Sequence, residues 1–305
     1  MDVKKLYGIM PALMTAFDED GIDIKRVGEL VKKQADDGVH GFYVGGSSGE
    51  MVLCSVEERK KVLETVMENK GDLAVIAHVG CLSTKDTIEL SKHAKACAAD
   101  AVSSVTPLYY KYSFAEVKNY YRKIAEASEL PVIIYNIPGL TGTVYGYDQL
   151  CELLEIEGVQ GMKFTSSDFF LLNRLINTYP DKVFYNGSDE MLLSGLAAGA
   201  HGGIGTTYNF MPDLMVKIYS LAKEGKYDEA RKVQSVANKA IAAVLCNGVL
   251  PACKHLISLY GVPYGECREP FMPLDDKAKK ICTITRGRLW RTSERIDKSK
   301  FEGAI

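Results

Sequence analysis

No stretch of the 305-residue chain approaches the roughly 18 uninterrupted apolar residues that a membrane-spanning helix needs. Lys4 and Lys5 precede an apolar run, but Asp2, the early Pro11 and the missing small-residue cleavage site speak against a secretory signal, so a cytoplasmic protein is expected. Charge of one sign is lacking as well. The 37 basic and 39 acidic residues leave a net charge of −2, which offers no electrostatic footprint for nucleic acid or an anionic membrane. The eight cysteines include no C-x-x-C pair, and a chain long enough for a real core needs no disulfide framework. The five histidines form no H-E-x-x-H motif and no His pair at ligand spacing, so no metal is expected.

What is present is ordinary for a globular protein: 47% hydrophobic and 25% charged residues. The length suits either two domains or one α/β barrel with additions. Short β-branched or aromatic runs alternate with longer helical stretches. The candidate strands are Tyr7–Phe17, Gly41–Gly46, Leu73–Gly80, Ala101–Pro107, Pro131–Pro138, Val159–Thr165, Val183–Asp189 and Gly202–Asn209. Runs such as PVIIYNIP are apolar on both faces, as parallel strands covered by helices must be. Ser55–Glu58 and Ser113–Glu116 read as capping boxes, and Pro212 suits a first helical turn. Between Asp23 and Gly38, Ile24, Val27, Leu30 and Val31 form an apolar stripe. After Asn209 only helical segments follow, roughly 212–223, 227–245, 251–259 and 275–290. The expected architecture is an α/β fold, a (β/α)8 TIM barrel over residues 1–223 that carries the active site, with a C-terminal helical extension over 224–305.

In such a barrel the chemistry collects at the carboxyl ends of the strands. Strand six ends in Gly161-Met-Lys163-Phe-Thr165. A lysine between Met162 and Phe164 must snorkel, pair with an acid or point into the mouth. In the last case desolvation favours the neutral amine, the form a Schiff-base nucleophile needs. Strand five ends in Tyr135-Asn136, where the phenol is either core filler or a proton shuttle. The loop Gly45–Glu50 has literal G-x-S-x-G form, but the helix starts later, at Ser55, and no partner histidine can be placed. A nest of backbone N–H groups and two hydroxyls facing an anion, or a plain glycine turn, accounts for it better than a hydrolase elbow. Asp189 and Glu190 after strand seven are either helix-start acids or acceptors for a polyol. The Gly-rich strand eight has barrel-phosphate form without a nearby cation.

Taken in order, GGSSGE (45–50), TPLYYKYSF (106–114), YNIPGLTG (135–142), GMKFTSSD (161–168), YNGSDE (185–190) and GGIGTTYN (202–209) resemble the N-acetylneuraminate lyase and dihydrodipicolinate synthase superfamily. These are class I, pyruvate-dependent aldolases on a TIM barrel. The likeness runs from Gly8 to about Pro273 and includes CREPF (267–271). Leu140 stands in the loop where the synthase branch carries an arginine, and YNGSDE is similar to the lyase branch's sugar-binding loop. The resemblance implies Lys163 as Schiff-base former and Tyr135 as proton donor and acceptor. It implies Ser47 and Ser48 on the pyruvate carboxylate, and Thr165, Gly187, Asp189, Glu190 and Thr206 along the sugar tail. Tyr110 resembles the aromatic residue that the family inserts into a neighbouring subunit's site, which implies a homotetramer. Ser48, Thr206 and Ser167 stand where threonine, serine and glycine are common in the lyases, changes that bear on preference among sialic acids. The implied reaction is cleavage of sialic acid to pyruvate and N-acetylmannosamine, with no cofactor. The alternatives are a sister aldolase for another 2-keto-3-deoxy sugar acid or an aldehyde and, more distantly, a non-catalytic pyruvate-binding regulator.

Overall fold

The computed structural model describes residues 3–19 and 21–298, so the outermost ends of the two expected regions lie outside the described residues. Eight parallel strands form one sheet: β1 Gly8–Pro11, β2 Gly41–Val44, β3 Ala74–His78, β4 Ala101–Val105, β5 Val132–Asn136, β6 Val159–Phe164, β7 Val183–Asn186 and β8 Gly202–Gly205. They are ordered β1-β8-β7-β6-β5-β4-β3-β2. The two ends of that order meet, since Ala12 bridges Tyr43 in parallel and Leu13 N–H donates to Tyr43 O at 2.8 Å. The sheet is therefore a closed barrel.

Around it run α1 Ile24–Asp36, α2 Val56–Asn69, α3 Thr84–Ala96, α4 Phe114–Ser128, α5 Tyr147–Leu154, α6 Phe169–Thr178, α7 Leu192–Ala197 and α8 Pro212–Lys223. Three further helices follow: α9 Tyr227–Cys246, α10 Val249–Tyr260 and α11 Asp276–Lys298. Both capping boxes form, with the Ser55 and Ser113 hydroxyls on the Glu58 and Glu116 N–H groups and each carboxylate returned to the cap N–H. In α1 the side chains of Val27, Leu30 and Val31 are fully buried. Ile24 is not: as the first helical residue it lies beyond the packed face and is 53% exposed.

Two layers of apolar side chains follow from strand alternation. One fills the barrel, with Met10, Tyr43, Ile76, Ile133, Tyr185 and Ile204 among its members. The other lies between strands and helices, with Ile9, Phe42, Val75, Val102, Ile134 and Phe184. The strands are shorter than the apolar runs, because residues past the ladder turn over into the mouth. Phe17, expected at the end of the first strand, sits instead in a two-residue hairpin with Ile22. Thr207–Asn209 form a single 3-10 turn after β8.

One irregularity sets the site. Val132 faces Val159 but Ile133 faces Gly161, so β6 carries one extra residue at Gln160. A one-residue slip sends every later side chain to the other face. Beyond it Lys163 pairs with Tyr135 on one side and Tyr185 on the other. A Cβ at Gly161 would lie 2.0 Å from Val183 O, so only glycine lets β6 and β7 close just below Lys163.

Candidate active site

Lys163 is 4% exposed, at the carboxyl end of β6. Its Nζ lies 4.0 Å from the Tyr135 ring centroid and 4.7 Å from that of Tyr43. Among the described residues it has no carboxylate within ion-pair distance and no hydrogen bond. Sequence offered three fates for this lysine, and the structure takes the third, an inward amine held by aromatic faces at the mouth. Tyr135, also 4% exposed, packs edge-on to Tyr43 at 6.0 Å and to His78 at 6.2 Å. The two residues expected to carry covalent and proton-transfer steps are thus in contact.

The Gly45–Glu50 loop is not a hydrolase elbow, since the following α-helix starts only at Val56. Ser47–Gly49 make one 3-10 turn and Met51–Leu53 a second, with Glu50 in the left-handed region at φ 58° between them. The Ser48 hydroxyl meets that of Thr206 at 2.7 Å, which ties the end of β2 to the end of β8. Ser47 and Ser48 therefore share a rim with Thr206, Ser48 buried and the other two half-buried.

On the third side of the mouth, Thr165 and Gly187 are neighbours. A Cβ at Gly187 would lie 1.9 Å from Thr165 Oγ1, a buried hydroxyl without a partner among the described residues. Asp189 is buried, and its Oδ2 accepts from both the Thr207 N–H and the Thr207 hydroxyl at 2.7 Å. Burial raises its pKa to about 6, although the two Thr207 bonds and the charge of Lys163 pull the other way. Asp189 is therefore committed to the turn after β8, with one carboxylate oxygen bound, whereas Glu190 beside it is exposed.

The sequence pattern of the dihydrodipicolinate synthetase family matches residues 5–285. The chain belongs to that family. It is 44% identical over 274 residues to the N-acetylneuraminate lyase of Rhizobium meliloti strain 1021, covering 89% of this chain and 91% of that protein. It is 42% identical over 278 residues to the N-acetylneuraminate lyase of Escherichia coli strain SMS-3-5, covering 89% and 93%. A solved sialic acid aldolase of Ruminococcus gnavus, a catalytic lysine mutant, superposes with a TM-score of 0.93 at 32% identity, over 96% of this chain and 99% of that one.

Within this family member the exposed candidates are Glu190 and Tyr110. Tyr110 is 70% exposed, and its ring contacts are with Tyr109 at 5.0 Å and Tyr112 at 6.2 Å. Three side chains beneath Lys163 escaped the sequence reading: Tyr43, His78 and Arg59. The Tyr43 hydroxyl bonds Ser103 at 3.0 Å, and Val105 N–H donates to His78 Nε2 at 3.2 Å. Burial, then the charges of Arg59 and Lys163, holds the His78 pKa well below the usual imidazole value. Arg59 donates to the carbonyls of Gly80, His78 and Gly45 at 2.8, 2.6 and 3.3 Å. Counting alternate residues back along each strand finds Tyr43 and His78. Arg59 lies on the inner face of α2 and leaves no such signal.

A cavity of about 390 Å³ opens beside the mouth, lined by Ser47, Met51, Val105, Leu108, Ile137 and Leu140 among others. A larger hollow of about 680 Å³ lies at the other end of the barrel, against residues that precede β1, β5 and β6. Its charged residues are Arg122, Glu126, Glu129 and Glu157. Among the described residues, one group of His, Cys and carboxylate atoms lies close enough to share an ion, Glu64, His93 and Cys97 within 4.8 Å. It sits on the outer helices α2 and α3, apart from the mouth. No helix among the described residues is long and apolar enough to cross a membrane.

Proposed function

We propose that the protein is a cytoplasmic class I aldolase that cleaves N-acetylneuraminate to pyruvate and N-acetylmannosamine through a Schiff base on Lys163. The observation that carries this is a buried amine at the carboxyl end of β6, without an acid partner and against the Tyr135 ring at 4.0 Å. A lysine kept for structure would pair with a carboxylate or reach water. The names of the Rhizobium and Escherichia relatives support the substrate.

Lys163 attacks the 2-keto carbon of the open-chain sugar, and loss of water leaves a protonated imine. Tyr135, together with the substrate carboxylate, takes the C4 hydroxyl proton. The C3–C4 bond breaks, and its electrons pass to the imine nitrogen as an enamine. Protonation at C3 and hydrolysis return the free lysine and pyruvate. Ser47 and Ser48 hold the carboxylate, and Thr165, Gly187, Asp189, Glu190 and Thr206 line the tail pocket. Binding energy gathered there orients the reacting bond from a distance. Asp189 acts through the turn it holds as well as on the sugar. Tyr110, exposed in one chain, completes the site of a neighbouring subunit in a homotetramer.

Borohydride with pyruvate should modify Lys163 covalently, read by intact mass and peptide mapping. N-acetylneuraminate should release pyruvate in an assay coupled to lactate dehydrogenase, and Lys163→Met should abolish both signals. Modification at another lysine, or none, overturns the aldolase reading. Trapping without sialic acid turnover assigns the chain to a sister aldolase.

A further inference from the structure

The helices beyond the barrel hold a charge network that the chemistry above does not use. Lys254 of α10 and Glu50 form an ion pair at 2.8 Å in which both side chains are 0% exposed. Lys254 Nζ also donates to Glu266 O at 2.8 Å and lies 4.2 Å from the Phe17 ring centroid. The second Glu50 oxygen accepts from Arg268 N–H at 2.9 Å. The Arg268 guanidinium donates to Leu53 O at 2.8 Å, pairs with both carboxylate oxygens of Glu58 at the start of α2, and lies 4.3 Å from the same Phe17 ring centroid.

Glu50 is the residue that closes the Ser47 turn, since its own N–H donates to Ser47 O at 3.1 Å and its carbonyl accepts from Leu53 N–H at 2.8 Å. It does so in a left-handed backbone conformation that a β-carbon disfavours. A non-glycine residue persists in that conformation where its surroundings over-determine it. Here the over-determination comes from the side chain, anchored at both oxygens by residues more than 200 positions away in the chain.

We infer that Glu50, Lys254 and Arg268 are positioning residues that fix the Ser47–Ser48 turn, so that the segment after the barrel sets the affinity for the substrate's carboxylate. This rests on the aldolase reading, in which the two serine hydroxyls hold that carboxylate. A buried ion pair is a poor source of net stability compared with an apolar contact of the same shape, so its worth here is geometric. Replacing Lys254 frees Glu50 to seek water, and the turn moves with it. Lys163 and Tyr135 belong to β5 and β6 and keep their places.

The test is pyruvate-dependent borohydride trapping on the full chain, compared with Lys254→Met and with Leu153→Ala, a cavity variant in the buried face of α5. Lys254→Met should raise the half-saturating pyruvate concentration by about tenfold to a hundredfold, the scale of a displacement near 1 Å, while the trapping rate at saturation is retained. Leu153→Ala should lower the melting temperature without moving the pyruvate dependence. Should Lys254→Met fail to fold, Arg268→Ala, whose guanidinium is partly exposed, should shift pyruvate dependence in the same direction. If the wild type traps pyruvate and neither variant alters its concentration dependence, or if Leu153→Ala alters it equally, the positioning inference is overturned. If the wild type traps nothing, the aldolase reading falls and the inference with it.

Discussion

Replacing Asp189 by asparagine should make the protein's stability less sensitive to pH, and the structure sets the sign and size. The carboxyl is buried with one oxygen bound twice by Thr207, and its pKa is raised from 3.8 to about 6. Asparagine keeps the shape and an oxygen acceptor for Thr207. Below about pH 3 the carboxyl is neutral in both folded and unfolded chains, and wild type and variant carry the same charge there. Between about pH 4 and 6 the folded chain binds more protons than the unfolded one. Wild-type stability therefore falls as pH rises through that window, and the loss is complete above the folded pKa. A shift of about two units corresponds to about 3 kcal/mol. Urea unfolding of wild type and Asp189→Asn, from pH 4 to 8, should show the difference moving by that amount in favour of the variant, with the other titrating groups cancelling. A difference that stays constant with pH would mean that the carboxylate is not desolvated, and the placement of this residue would be wrong.

Gly187→Ala should disable the mouth by pressing a methyl group onto the Thr165 hydroxyl, at a cost of about 1–3 kcal/mol. Pairing it with Thr165→Ala should recover part of that loss, and additive losses in a double-mutant cycle of melting and turnover would refute the contact. Arg59→Met should cost several kcal/mol in denaturant unfolding, because it leaves the Gly45, His78 and Gly80 carbonyls without their donor in a buried site. A near-neutral result would show that water reaches those groups.

Much of this architecture could be read from local pattern, and the reasons differ by element. Several strands stand out because they are apolar on both faces, as Val132–Asn136 is, and the capping boxes because four consecutive residues carry the whole signal. Lys163 was conspicuous as a charge inside such a run. Its direction was not, since the extra residue at Gln160 that turns it inward belongs to the pairing of β5 with β6 rather than to β6 alone. Strand ends were overrun because apolar residues continue past the ladder into turns, as Phe17 and Tyr208 do. The left-handed Glu50 and its partner Lys254 were invisible, because nothing within a window of ten or twenty residues distinguishes them from a solvated glutamate and a helix-surface lysine. Tertiary context alone made them a buried pair. Arg59 escaped for the same reason.

The contact between the Ser48 and Thr206 hydroxyls has a temporal side. It joins residues 158 positions apart, and the Arg268–Glu50 bond that backs it spans 218. Contacts of such separation form late, after the loop entropy between them has been overcome. Lys163 and Tyr135 come from paired neighbouring strands, but the rim opposite them needs β8 and the segment around Arg268. A nascent chain that ends before β8 therefore lacks both distant partners of the Ser47–Glu50 turn. The rim of the mouth is thus completed only by the last third of the polypeptide.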